Sequence, residues 1–537
     1  MKNLNAIIVF NNIKLPFDAS VEEAFSVAKQ KCLRIGLKNN VSDPYVYKRS
    51  IDARNKNSIL FVYSIAMRIN ENISNEALLS KFGANIIREE RPKIEIGEKK
   101  LSSPPVIVGS GPAGMYAGLI LAENGYKPII LERGDCVKNR INIVNQFNKT
   151  HILNKNTNIQ FGAGGAGTFS DGKLVTRTND SLSSYVLDRL VEFGAQEEIK
   201  FIAKPHVGTD ILAVVVDNIL NRITELGGQV LYNTRFLDYT SENGKVTSVI
   251  TDKGIIQSGA LILAIGHSAR DTYKTLLNKD LVIEAKDFSV GMRIEHLATE
   301  IDKSLYGSFA GHPLLGHAEY NLSHNTKVRG VYTFCMCPGG EVVAATSEEF
   351  GTVVNGMSYS KRNGVNSNSA VVCSIFRSDY GSTPIKAIEF QKNIEYAAFS
   401  SAGRDYKAPI ITCGDFLEDK CQSYPNIVTP TYMNGDNVSL VSPKTYLPEF
   451  VTDAIKPALL AFDKKISGFA NSNAVLTGAE TRTSAPIRIL RNNDTKLALG
   501  YKNLYPAGEG AGYAGGITSA AIDGLKCAIA LMSEYKP

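Results

Sequence analysis

The chain has little net charge for its 537 residues, with 59 basic and 53 acidic side chains and a formal excess of +6. A broad nucleic-acid-binding face is therefore not implied. The small excess is local: residues 1–100 carry 17 basic and 11 acidic groups, and the rest of the chain carries 42 of each. Nowhere do 18 apolar residues run together, so no membrane-spanning helix is expected. The N-terminal apolar run, Ala6 to Phe10, is too short for a signal-peptide core. Eight cysteines (Cys32, Cys136, Cys335, Cys337, Cys373, Cys413, Cys421, Cys527) lack the spacing of a disulfide framework, which favours a reducing compartment. The expectation is a cytoplasmic, non-integral protein. Internal repeats and low-complexity tracts are missing too. What remains is an ordinary globular composition, 44% hydrophobic and 21% charged, in a chain whose length at roughly 150 residues per domain predicts two to four domains.

Residues 1–87 read as a small α+β module of ferredoxin-like type. An apolar strand from residue 6 leads to Ser20 and Glu23, a capping box that should open a helix running to about Gly36. Two β-rich runs, YVYKRSIDA and SILFVYSIAMRI, flank the polar turn Arg54 to Asn57 as a hairpin, and a short helix NEALLSKF follows. Residues 88–104 are charged and end at a proline pair, as linkers do. From residue 105 the pattern becomes α/β. Residues 105–289 predict a nucleotide-binding domain with a β-meander near 234–257. Residues 290–484 predict a mixed, β-rich substrate domain, and 485–537 return to the first.

The strongest local signal is Gly109-Ser110-Gly111-Pro112-Ala113-Gly114, because an apolar strand precedes it and an apolar helix follows. Gly109 permits the tight turn, Gly111 lets a pyrophosphate approach the backbone, and Gly114 allows helix to pack on strand. Glu132 closes the next strand 21 residues after Gly111, where an acidic side chain accepts from ribose hydroxyls. A second glycine run, Gly162-Ala163-Gly164-Gly165-Ala166-Gly167, has a polar lead and no apolar helix behind it. It predicts a loop lying against a cofactor, not a second Rossmann unit. Near the C-terminus, PAGEGAGYAGGITSAAIDGL predicts another helix N-terminus near Ile517, aimed at the same cofactor, with Gly508, Gly515 and Gly516 around it. Such an end suits a flavin, whose N1–C2=O edge becomes negative on reduction. Glu509 would bond the ribityl hydroxyls.

These strings, with LAIGHSARDT, resemble the FAD-binding fold of the glutathione reductase type. FGAGGAGTFSDGKL, FSVGMRIEH, YTFCMCPGGEVVAA, ETRTSAPIRI and KRSIDARNK resemble a large bacterial family of FAD-dependent dehydrogenases or oxidoreductases, mostly of unknown substrate. The resemblance implies non-covalent FAD, to which Arg133, Arg140 and Gly266 are added as binding residues. NADH or NADPH is considered as electron donor, without a Rossmann domain of its own.

For catalysis, Cys335 and Cys337 stand two apart on an expected strand, a spacing that turns both thiols to one face, toward a substrate or flavin pocket. His267 directly follows the returning strand, and its ordinary pKa near 6.5 would suit a proton donor. Lys173 is a further catalytic candidate, and Arg293, Arg482 and Arg488 are candidates for binding an anionic substrate or the pyrophosphate. His312, His317 and His324 lack metal-site spacing, so no metal is assigned. The function expected is hydride transfer between the flavin and a small molecule. The alternative is a flavin-containing RNA-binding or RNA-modifying protein that uses the basic module.

Overall fold

The structure is a computed structural model, and it describes residues 6–37, 41–69, 76–88, 91–176, 180–326 and 328–537. One half of it is built on short apolar strands. Val106–Val108, Leu261–Leu263 and Leu504–Pro506 are buried at every position, which requires cover on both sheet faces and suits a parallel sheet. With Ile129–Leu131 and Gln229–Leu231 they form five parallel strands, ordered 504–506, 261–263, 106–108, 129–131, 229–231. The chain starts at the central strand, steps outward twice, and then returns to the other side. That reversal opens a crevice at the carboxyl ends beside Val108.

Helix Pro112–Glu123 has no polar face, because ten of its twelve residues are buried. The sheet covers one side and helix Ile517–Glu534 the other. Contact between the two helices is close enough to need glycine: a Cβ on Gly524 would lie 2.0 Å from the Ala113 carbonyl oxygen. The expected meander is present as Phe236–Glu242, Lys245–Thr251 and Gly254–Gln257, turning at Asn243-Gly244 with both φ angles positive (51° and 74°). Helices Val137–Thr150 and Ser183–Glu192 did not emerge from the sequence, although each buries one face, with Val137, Val144 and Phe147 on the first and Val186 and Leu190 on the second.

The second unit is a seven-stranded sheet, ordered Ser323–Asn325, Gly330–Cys337, Asn366–Ile375, Phe288–Leu297, Val475–Glu480, Ala408–Thr412, Val438–Leu440. All its pairs are antiparallel except the last. The N-terminal residues form a four-stranded antiparallel sheet, ordered Tyr45–Asp52, Leu60–Ile69, Ala6–Pro16, Ala84–Arg88, with helix Val21–Arg34 following the capping serine. The helix expected from Asn75 is described from Glu76 to Lys81, Asn75 lying outside the described residues.

The N-terminal sheet is not a loosely appended body. Ile8, Phe10 and Ile65 belong to the same hydrophobic cluster as Val290, Met292 and Leu476. The Phe17 ring meets Phe309 at 5.2 Å and His312 at 4.8 Å. Arg49 exchanges backbone hydrogen bonds with Phe201 (2.7 Å) and Ala203 (2.8 Å), and its guanidinium lies over Phe61 and Phe201. The KRSIDARNK string thus has work inside the fold, with Arg54 paired to Asp52 at 2.5 Å. Residues 91–104 do not hang free either: Lys99–Lys100 pairs with Tyr535–Lys536, and the Gly97 N–H donates to the Met532 carbonyl at 2.8 Å.

One buried ion network joins the two larger units. Glu395, on helix Pro384–Ser401, accepts from Arg270 (2.7 Å at each oxygen) and from Arg482 (3.1 and 2.9 Å). Removing one member of such a network strands the others in the core. Glu395→Gln should therefore destabilise the fold by about 3–5 kcal/mol, read as a drop in thermal midpoint, whereas a neutral result would show the network to be dispensable.

Candidate functional site

A cavity of about 320 Å³ opens at the crevice between the parallel strands. The first glycine motif supplies Gly109, Gly111, Pro112 and Ala113 to its wall, while Gly114 stays behind, packed against the Gly109 carbonyl. The second run supplies Gly162, Gly165 and Gly167, and Gly164 packs instead against Thr168 and Val216. The two loops touch. A Cβ on Gly165, already at φ 63°, would stand 3.0 Å from the Gly111 Cα. Gly109 is equally constrained, with φ 99° and a Cβ position 2.3 Å from the Ala264 carbonyl oxygen. Two helix N-termini, at Gly111-Pro112 and Gly516-Ile517, point their free N–H groups at this cavity. Gly266, Glu509 and Gly515 line it, whereas Gly508 is set back, its N–H donating to Asp523 (2.7 Å).

Glu132 is buried at the cavity wall and has more to do than the sequence suggests. Its carboxylate accepts from the Ser110 N–H (3.1 Å) and hydroxyl (2.6 Å), the Gly134 N–H (2.9 Å) and the Gly162 N–H (3.0 Å). It staples three turns together. Arg133 lines the cavity with its guanidinium 4.1 Å from the Phe161 ring centre, and it pairs with Asp271 at 2.8 Å. Arg140 does not line the cavity. It is fully buried and donates to the carbonyls of Asn158, Ile159 and Ala163 (2.6–2.9 Å), fixing the second glycine loop from beneath. Desolvation alone brings it down to about 10, so it stays charged at neutral pH.

At the other end of the cavity stand His267, Lys173, Cys335, Asn355, Arg482 and Thr483. His267 is not the proton donor its ordinary pKa suggested. Burial, with Arg482 and Arg270 nearby, pushes the imidazole down to about 3, so it is neutral. Its Nδ1 lies 2.8 Å from the Ser268 hydroxyl, which donates to the Gln160 amide oxygen at 3.2 Å. The single hydroxyl proton is thereby used, which places the ring proton on Nδ1 and leaves Nε2 as an acceptor. Lys173 has carboxylate oxygens of Asp171 and Glu319 at 3.3 and 3.7 Å. Burial works against its charge, but those carboxylates outweigh burial and hold the ammonium above its ordinary pKa.

The two cysteines are separated by a β-bulge. Phe334 pairs with Ala370 but Cys337 pairs with Asn368, and the extra residue includes Cys335 at φ 45°. The expected alternation is lost: Cys335 reaches the cavity and Cys337 is fully buried behind it. Arg293 is not free for substrate. Completely buried, it pairs with Glu480 (2.9 and 3.0 Å) and donates to the Cys335 carbonyl (3.0 Å), Asn368 (2.7 Å) and Asn355 (3.2 Å). Arg488 also lies off the cavity, donating to the Gly512 carbonyl at 3.3 Å. Arg482 lines the cavity while most of its donors serve Glu395 and Ser347.

Sequence reasoning passed over Gln160, Asp171, Asn355 and Thr483. Asp171 lay within the quoted FSDGKL, two residues from Lys173, a spacing that should have suggested a pair. It is wholly buried and accepts from Ser358 and from Arg362 (3.1 and 2.6 Å).

Cavity, glycine cradle and paired helix ends fit a dinucleotide bearing a flavin, and residues 287–483 match the family model "FAD-dependent protein, C-terminal domain-like". The class defined is an FAD-dependent oxidoreductase. More particularly, the chain is 44% identical over 536 residues to an uncharacterized protein of Clostridium beijerinckii, covering 98% of this chain and 99% of that one; it belongs to that protein's family. Among solved structures, similarity is found to a glycine oxidase from Bacillus cereus (12% identity, 81% and 99% of the two chains, TM-score 0.32). The flavin-dependent brominase Bmp2 (12%, 80% and 78%, TM-score 0.38) and CtdE in complex with FAD (12%, 80% and 84%, TM-score 0.32) are similar to a like degree. At these TM-scores the likeness assigns neither substrate nor reaction.

Glu509 gives the site a pH signature. Burial raises its carboxyl to about 7, against the opposing pull of Lys286. A carboxyl whose folded pKa lies above its unfolded value near 4.5 favours the fold below that value, and the contribution is lost as pH rises to about 7. Glu509→Gln should therefore raise the thermal midpoint of the flavin-free protein more at pH 8 than at pH 5, by at most about 3 kcal/mol in stability. An equal effect at both pH values would refute the assignment.

Proposed function

We propose that this protein holds FAD non-covalently in a glutathione-reductase-type fold and transfers hydride between the flavin and a small molecule. The observation that carries the reading is the contact of two glycine loops beneath two helix N-termini in one cavity. Support for the finer fold type comes from the central-strand start, the switch point at Val108 and the three-stranded meander. The N-terminal sheet order, all antiparallel with the first strand beside the third and fourth, supports the ferredoxin-like reading of residues 1–87.

Bound there, FAD supplies a carrier for a hydride equivalent. The chain's own residues do the rest. The N–H groups of Gly111 and Ala113 bind the pyrophosphate, and those at the start of helix Ile517–Glu534 stabilise negative charge. Glu132 orients the ribose end, and Glu509, protonated or ionised near neutral pH, hydrogen-bonds hydroxyls of the chain that joins the flavin to its phosphates. His267 Nε2 accepts a hydrogen bond and Lys173 offers a fixed positive charge. Phe334 and the Cys335 bulge, brought from the seven-stranded sheet, close the cavity over the substrate. The described residues contain one five-stranded parallel sheet, so NADH or NADPH acting as donor would enter this same cavity.

The purified protein should be yellow, and acid precipitation should release all the flavin into the supernatant. Gly165→Val, which drives a side chain into the Gly111 backbone, should yield protein that binds FAD at least tenfold more weakly in a fluorescence titration. A colourless wild type that takes up no FAD would sink the reading.

A further inference from the structure

Among the described residues, Cys335 is the one cysteine that lines the cavity. The bulge costs a ladder position and a left-handed backbone at a non-glycine residue, and its outcome is to bring Cys335 to the cavity wall. The groups facing it come from three segments. Arg293, on strand Phe288–Leu297, holds the Cys335 carbonyl at 3.0 Å and lies 4.0 Å from the Cys337 sulfur. Lys173 and Asp171 approach from the loop after the second glycine run, 3.3 Å from one another. Cys337 stands behind on Cys335's own strand, its thiol 3.3 Å from the Cys335 carbonyl oxygen. Arg293 is neutralised by Glu480, and Arg362 stands with Asp171 and Glu319.

The cavity needs a group that can take up a proton, and most of its side chains cannot. His267 is neutral with a very weakly basic ring nitrogen, Lys173 is already protonated, and Asp171 is locked in ion pairs. Glu509, raised by burial to about 7, is the other group able to take up a proton, and the reading above engages it with hydroxyls of the chain that joins the flavin to its phosphates. Building on the flavin-dependent reading above, we propose that Cys335, as a thiolate, is the proton acceptor of the reaction, drawing the proton from the O–H or N–H of an alcohol or amine substrate. The S–H bond forms as the substrate's O–H or N–H bond breaks. The electron pair of that bond stays on the heteroatom, which turns the neighbouring carbon into a hydride donor. On ionisation the Cys337 S–H turns from the Cys335 carbonyl to the Cys335 sulfur, and together with the cations Arg293 and Lys173 it brings the thiol down to about 7 in spite of burial and Asp171. Burial and the neighbouring sulfur drive Cys337 the other way, so it remains the thiol of the pair.

The test is iodoacetamide alkylation of the full-length protein, followed cysteine by cysteine by mass spectrometry between pH 5 and 10. Cys421, which burial raises, serves as the internal reference. Cys335 should alkylate with an inflection near 7, and Lys173→Gln and Cys337→Ala should each move that inflection up by about one unit. In the flavin-loaded protein the visible spectrum should titrate with the same inflection, which Cys335→Ser abolishes and Glu509→Gln leaves in place. Flavin-loaded protein in which Cys335 alkylates only in step with Cys421, or a spectral inflection that Cys335→Ser retains, overturns the proposal. A chain that takes up no FAD overturns the reading beneath it instead.

Discussion

The two large units are held in register by Glu395, a single carboxylate clamped between two guanidiniums. Arg270 comes from the helix after the returning strand of the parallel sheet, and Arg482 follows the last strand of the seven-stranded one. Taking three charges from water is expensive, and the arrangement is tolerable only because the hydrogen bonds are nearly complete: Thr481 and Gln391 supply further contacts, and Glu348 balances the second cation. The network also forms the back of the cavity, since Arg482 and Thr483 line it. One consequence is chemical. Burial, reinforced by these two cations, denies the His267 ring a proton, so the residue best placed by sequence for acid catalysis is the one its surroundings disqualify.

A second buried pair repeats the logic two residues earlier. Glu480 binds Arg293 and Arg482 binds Glu395, so the short segment Glu480-Thr481-Arg482 directs one charge into the seven-stranded sheet and another toward the parallel one. Arg293 in turn holds the Cys335 carbonyl inside the bulge, which ties the buried cation to a residue of the cavity wall. Backbone geometry at the cavity is thus tied to charge burial in the core beneath it.

This explains which features were legible in the sequence. The GSGPAG turn, its flanking strand and helix, the Asn243-Gly244 hairpin and the helix start at Ile517 depend on interactions between residues a few positions apart, and all stand where the pattern puts them. The roles of Arg140, Arg293 and Arg482 depend on partners 18 to 187 positions away. Arg140, Arg293 and Arg482 read alike in a one-dimensional string as cations near a glycine-rich or strand segment. Only the folded chain shows that the first braces a loop, the second braces a strand, and the third shares its charge between a core glutamate and the cavity wall. Cys335 and Cys337 failed for a different reason: alternation assumes a regular strand, and one inserted residue cancels it.

The basic N-terminal residues follow the same argument. A charge excess confined to one segment reads as a binding surface when the segment is taken to be autonomous, but here the sheet buries Phe10, Phe17 and Ile65 in a cluster shared with the seven-stranded unit. Arg49 is held by its backbone to residues 201–203 and by its guanidinium between two phenylalanines. Those residues lie on the path from helix Ser183–Glu192 to His206, whose bridge with Lys173 leads straight to the cavity. The module therefore braces, through Arg49 and the 201–206 segment, the loop that presents Lys173 and Asp171, and its charge is in part the means by which that loop is held.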